Sequence, residues 1–233
     1  MTNSKPKISA IVPLYNQGIY LGKCIESVLK QTMQDFAIII VNDGSTDGSW
    51  EVADKIATTD DRIKVIHHDK NKGLSAARNT GINAAESEFV LPLDADDAIA
   101  PRMLERCLEA IEDGFGDQIY TDVQYFGEKK GIYTYPEYCY PELKIRNLFV
   151  SCNLFRKSAW SEVGGYDEEM KDGLEDWMFN LKMGHHGYFG YRIAEPLFAY
   201  RVKKESMITK TRAIHDKVFK QMQSLHPEIW RVE

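Results

Sequence analysis

The segment Leu93-Asp94-Ala95-Asp96-Asp97 closes an apolar run that begins at Phe89. Extended residues two apart face the same way, so Asp94 and Asp96 can present carboxylates to one side of a sheet edge. Two crowded carboxylates repel unless a cation lies between them. Mg²⁺ or Mn²⁺, held by few carboxylates together with phosphate oxygens, is the natural partner. Acidic turns also open helices, with Asp97 as a cap ahead of Pro101. A second polar stretch, Asn42-Asp43-Gly44-Ser45-Thr46-Asp47-Gly48-Ser49, follows another apolar run. There Asp43 could accept hydrogen bonds from a base or ribose while Thr46 or Asp47 caps a helix. A third, Glu175-Asp176-Trp177, opens a helical stretch running to His186, where acidic residues also suit the helix dipole. His67-His68 and His185-His186 are assigned surface or capping roles rather than metal ligation, since neighbours point apart on a strand and about 100° apart on a helix.

These groups need elements to hold them. Ile8 to Leu14, Phe36 to Val41, Ile63 to Ile66 and Phe89 to Leu93 are short apolar runs. They alternate with helical spacing over Tyr20 to Gln31, about Thr46 to Ala57, Leu74 to Ala85 and Pro101 to Ile111. That alternation predicts βαβ units, a mostly parallel sheet flanked by helices on both faces, with the candidate polar groups at the carboxyl ends of its strands. Beyond Asp117 the pattern is mixed, and half of the twelve tyrosines fall between Tyr120 and Tyr140. Pro136 and Pro141 predict an edge ribbon and an irregular loop there. The chain lacks G-x-G-x-x-G after its first strand and a P-loop throughout, so neither dinucleotide nor P-loop binding is supported.

The 233 residues suffice for one large α/β domain, and a composition 43% hydrophobic and 27% charged is that of a globular protein. Net charge −6 argues against coating nucleic acid. From Arg201 onward there are eight basic and four acidic side chains, so the tail is net +4. It places Ile214, Val218, Met222 and Leu225 at helical spacing and could dock on the domain, pair subunits or lie on a membrane surface; docking is preferred. Four scattered cysteines form no C-x-x-C pair and suit a reducing cytosol. No apolar run is long enough to span a membrane, and no secretory h-region follows the N-terminus.

In order, IVPLYNQ, VNDGSTDGS, NKGLSAARNTGI, LPLDADD, GGYDE and LEDW resemble the family-2 glycosyltransferases of GT-A fold. The resemblance implies an inverting enzyme, and the cysteine pattern with the lack of an apolar leader places it in the cytoplasm, free or at the inner membrane surface. It would move a sugar from a nucleotide diphosphate donor, UDP-sugar favoured, to a saccharide, lipid-linked or other hydroxyl acceptor. By resemblance Pro13, Tyr15, Asn16, Asp43, Asn71, Lys72, Gly73, Arg78 and Asp94 serve the nucleotide, with Tyr15 against the base. Asp96 and Asp94 would hold Mn²⁺ or Mg²⁺. Asp176, beside Glu175, is the implied general base, and Trp177, Cys152, Asn153 and the tyrosine-rich ribbon would border the acceptor groove. Arg78 has an alternative role as partner of an acidic neighbour. One departure stands out: where relatives carry histidine in a Y-R-x-H-x-x-S segment, this chain has Lys203. A protonated lysine cannot ligate a cation but could meet the diphosphate. The implied organisation is one catalytic domain over residues 1–205, its donor half 1–115 and acceptor half 116–205, followed by a helical tail, 206–233. Sugar-nucleotide nucleotidyl transfer and a non-catalytic nucleotide-sugar binding module are the alternatives.

Overall fold

The computed structural model describes residues 5–204, 211 and 213–231. Its strands are β1 (Ile8–Leu14), β2 (Phe36–Asn42), β3 (Ile63–His67), β4 (Phe89–Pro92), β5 (Ala98–Ile99), β6 (Gln118–Gly127), β7 (Gly131–Tyr133), β8 (Leu154–Arg156) and β9 (Gly190–Val202). Its α-helices are α1 (Gly18–Leu29), α2 (Ser49–Ala57), α3 (Leu74–Ala84), α4 (Met103–Glu112), α5 (Tyr140–Leu143), α6 (Lys157–Glu162), α7 (Glu175–His185) and α8 (His215–Leu225), and a 3₁₀ turn covers Pro227–Trp230. They form one sheet of order β3-β2-β1-β4-β8-β6-β9-β5, with β7 beside β6. The first four strands of that order run parallel, as the alternating pattern requires. The rest is mixed: β8 is antiparallel to β4 and β6, and β9 is parallel to β6.

All of β1 is buried, because helices cover both faces of a parallel sheet. Gly81 of α3 sits so close to the sheet that a Cβ there would lie 2.5 Å from Ile11 Cγ2. The expected edge ribbon is met only by β7, a short exposed strand beside β6; β6 itself is an interior strand between β8 and β9, because the prolines fall after it, in the irregular stretch containing Pro136. Most tyrosines of this region are packing groups: Tyr120 stacks on Phe149 with centroids 4.3 Å apart, and Tyr135 stands edge-on to Tyr133.

The described part of the tail docks. Val218 and Met222 of α8 are buried with Trp177, Met178 and Leu181 of α7, and Lys217 pairs with Asp172. Ile214 stays partly exposed. Residues 206–210, 212 and 232–233 of the predicted tail lie outside the described residues. Among the described residues no helix is long and apolar enough to cross a membrane.

Candidate active site

The carboxyl ends of β1, β2 and β3 build one rim of the site. Asn16, in left-handed backbone at φ 53, accepts from Thr46 N–H through Oδ1 at 2.8 Å, while its own N–H donates to Ser45 Oγ. The loops after β1 and β2 are thereby tied together. Asp43 is buried and accepts from the N–H groups of Lys72 and Gly73 at 2.8 and 2.9 Å, with His68 Nδ1 2.7 Å away. Its carboxylate thus shapes the 69–73 loop and keeps limited capacity for a ligand. Gly73 sits at φ +99, and at Gly44 (φ +68) a Cβ would come 2.5 Å from the Lys70 carbonyl carbon; both positions need glycine. Tyr15, Asn16 and Asn71 are exposed along this rim, whereas Pro13 is buried within β1 and presents no side chain to it. His68, assigned above to a surface or capping role, is instead buried between Asp43 and Thr80 Oγ1. The register pairing Asn42 with His67 is what brings it there.

The second rim is acidic. Arg78 on α3 is 1% exposed and joins two chain segments, donating to Asp94 Oδ1 at 2.8 Å and Glu175 Oε1 at 2.7 Å. Burial alone would weaken its charge, but Asp94 and Glu175 outweigh that and hold it protonated. Arg78 therefore takes the acidic-partner role, and the expectation that it faces a diphosphate is not met. Glu175 is correspondingly a buried partner of Arg78 in the first turn of α7 rather than an open proton acceptor. Asp96 meets Lys203 Nζ at 2.5 Å. Asp97 is buried and accepts Arg201 N–H at 2.7 Å, and Arg201 Nε donates to the Asp96 carbonyl. Through these contacts and the β5–β9 pairing, the end of β9 clamps the Asp94–Asp97 turn.

Asp176 is partly exposed beside this cluster. Burial of the carboxyl group raises its pKa to about 7; Glu175 and Asp94 add to the rise, while Arg78 and the Trp177 N–H oppose it. Asn147 Nδ2 approaches Asp176 Oδ2 at 3.4 Å, a neighbour that nothing in the sequence signalled. Leu174, immediately before α7, has φ 62. Asn16 and Leu174 are the two non-glycine residues with positive φ among those described, and both flank this site. Three expected groove residues are instead interior. Trp177 is 2% exposed, donates to the Leu143 carbonyl and stacks on Phe219. Cys152 lies in the core, and Asn153 is buried with its amide on the Val150 carbonyl.

Asp94 and Asp96 fit a divalent ion in their charge and in their open oxygens. Arg78 and Lys203 each take one oxygen, so each carboxylate keeps one without a partner among the described residues. Asp94, Asp96, Asp97, Glu175 and Asp176 are five carboxyl groups facing two paired cations, and burial with this mutual repulsion also pushes Asp97 well up. Two carboxylate oxygens would face such an ion here, and among the described residues no group of three or more His, Cys, Asp or Glu could hold a metal ion.

A nucleotide-type α/β sheet with an acidic rim and a nearby carboxyl group of raised pKa defines a class of group-transfer enzyme site. The chain belongs to glycosyl transferase family 2, whose family model matches residues 9–163. It is 35% identical over 145 residues to the glycosyltransferase GlyG of Streptococcus pneumoniae, a match covering 60% of this chain and 48% of that protein. The chain thus spans about half the length of this relative. The fold is of GT-A type. It superposes on TarS of S. aureus in complex with UDP-GlcNAc with TM-score 0.78 and 20% identity, over 94% of this chain and 66% of that one. It also matches the Pyrobaculum calidifontis mannosyltransferase PcManGT in complex with GDP-Man and Mn²⁺, with TM-score 0.70 and 18% identity, over 98% and 70%.

Proposed function

We propose that this protein transfers a sugar from a nucleotide diphosphate donor, UDP-sugar favoured, to an acceptor hydroxyl with inversion at the anomeric carbon. The observation that carries the proposal is Arg78, which ties Asp94 of the acidic turn to the helix bearing Asp176. Donor-side and acceptor-side carboxylates are thereby brought to one place.

In this mechanism the exposed rim of Tyr15, Asn16 and Asn71, backed by Asp43, receives the nucleoside, with Tyr15 against the base. When bound, a divalent ion held by Asp94 and Asp96 supplies positive charge to the departing diphosphate. Asp176 takes the proton from the acceptor hydroxyl as that oxygen bonds to the anomeric carbon. The bond from that carbon to the diphosphate oxygen breaks, and its electron pair leaves with the nucleotide. A single in-line displacement inverts the centre. Residues 1–115 serve the donor and 116–205 the acceptor, followed by the tail 206–233, of which the described helix α8 packs on α7. No membrane or dimer role is needed for this chemistry. Saccharide and lipid-linked hydroxyls both remain acceptor classes, and the cytoplasm, with its nucleotide-sugar pool, is the proposed compartment.

Donor hydrolysis measured over UDP-, GDP- and dTDP-sugars tests the reading. Metal-dependent release of the nucleoside diphosphate, greatest for one UDP-sugar, is expected. Binding of every donor without release would favour a binding module, and pyrophosphate formation from a nucleoside triphosphate and a sugar phosphate would favour nucleotidyl transfer.

The raised pKa of Asp176 sets a pH dependence. A base must be ionised to accept a proton, and with its pKa at about 7 the ionised fraction grows about tenfold between pH 6 and 8. kcat/KM should therefore rise about tenfold across that interval, with its midpoint near neutrality. A profile flat from pH 5 to 8 would remove Asp176 from the proton transfer.

A further inference from the structure

The ammonium of Lys203 stands 2.5 Å from Asp96 Oδ2, with the two side chains 25% and 12% exposed. This contact is built by the backbone. Arg201 N–H is held by Asp97, Arg201 Nε by the Asp96 carbonyl, and the Arg201 guanidinium lies 4.5 Å from the Tyr20 ring centroid. Lys203, two residues on, is delivered to Asp96 just beyond the end of β9, with its Nζ 5.6 Å from the same ring.

A cation resting on Asp96 opposes the arrival of a second one. Coulomb repulsion between an ammonium and a divalent ion sharing one carboxylate is substantial even in water at such range. A diphosphate reverses the balance, because its oxygens offer the ammonium a new partner while completing the ion's coordination. Lysine suits that exchange, having a compact charge on a flexible four-carbon stem that can swing between nearby anions.

Building on the donor site proposed above, we infer that Lys203 is a built-in counter-ion of Asp96. It keeps divalent metal off the donor-free protein and passes to the diphosphate when metal and nucleotide enter together. Metal and nucleotide binding are then strongly coupled, each raising the affinity of the other by the same factor.

The test is Mn²⁺ titration of the whole chain, with free Mn²⁺ read by electron paramagnetic resonance, with and without UDP. The variants are Lys203→Met, Lys203→Arg and Asp96→Asn. Without UDP, Lys203→Met should bind Mn²⁺ at least about tenfold more tightly than the wild type. Lys203→Arg, which keeps the charge, should stay weak. With UDP the advantage of Lys203→Met should disappear. Lys203→Met affinity equal to or below wild type without UDP overturns the inference while leaving the donor site intact, provided Asp96→Asn still loses Mn²⁺ in the presence of UDP. If Asp96→Asn changes nothing with UDP present, the metal site itself is wrong and both readings fall.

Discussion

Asp176→Asn is expected to lower turnover by about 10² to 10⁴-fold while leaving donor binding nearly intact. An amide of the same shape keeps an oxygen for the Trp177 N–H, 2.7 Å away in the wild type, but cannot take a proton. The neighbouring acid offers no relief. Glu175 is buried and bonded through Oε1 to Arg78, so it lacks access to the acceptor side. Stability separates this loss from damage to the fold. The folded-state pKa of Asp176 lies above the ordinary carboxylate value, so its ionisation weakens the folded state as pH rises through about 7. Asparagine never ionises, and the variant at pH 8 should melt at the same temperature as wild type or higher. Turnover within about threefold of wild type would dismiss Asp176 as base, and a lowered melting temperature would assign it a structural role.

Arg78→Ala is expected to have the largest effect on stability. The guanidinium is 1% exposed and lies between the carboxylates of Asp94 and Glu175. Removing one member of a buried ion-pair network leaves uncompensated charge and costs about 3 to 5 kcal/mol. For a domain of this size that lowers the melting temperature by roughly 10 °C. Lysine reaches only one carboxylate well, because it lacks the planar fork, so Arg78→Lys should recover part of the loss. Arg78 also holds the Asp176 pKa down. In whatever fraction of Arg78→Lys or Arg78→Ala remains folded, the pH midpoint of kcat/KM should therefore move upward for alanine relative to lysine. Urea denaturation showing a loss below about 1 kcal/mol would mean that solvent, rather than Arg78, neutralises this cluster.

Part of this site is legible in the sequence because it is written locally. Leu93-Asp94-Ala95-Asp96-Asp97 and Asn42-Asp43 stand directly after apolar strands, and each strand's own periodicity places its polar end. The partners of these residues are not local. Arg78 and Glu175 are 97 residues apart, and Arg201 and Asp97 are 104 apart. No pattern with a period of two or 3.6 connects such positions. The sequence places Cys152, Asn153 and Trp177 along a groove, whereas packing turns them inward.

The order of apolar runs and helical segments along the chain by itself determined the parallel half of the sheet, its helices and the edge from which the acidic groups emerge. Short-range side-chain spacing encodes which face of each element seeks the core. The tertiary structure alone decided that the late strand β9 returns beside β6 and pairs with β5, setting Lys203 on Asp96, and that α3 brings Arg78 between two acids. Those choices depend on which buried charges can be neutralised together once distant segments are packed. That is a property of the whole fold, and no single stretch of chain carries it.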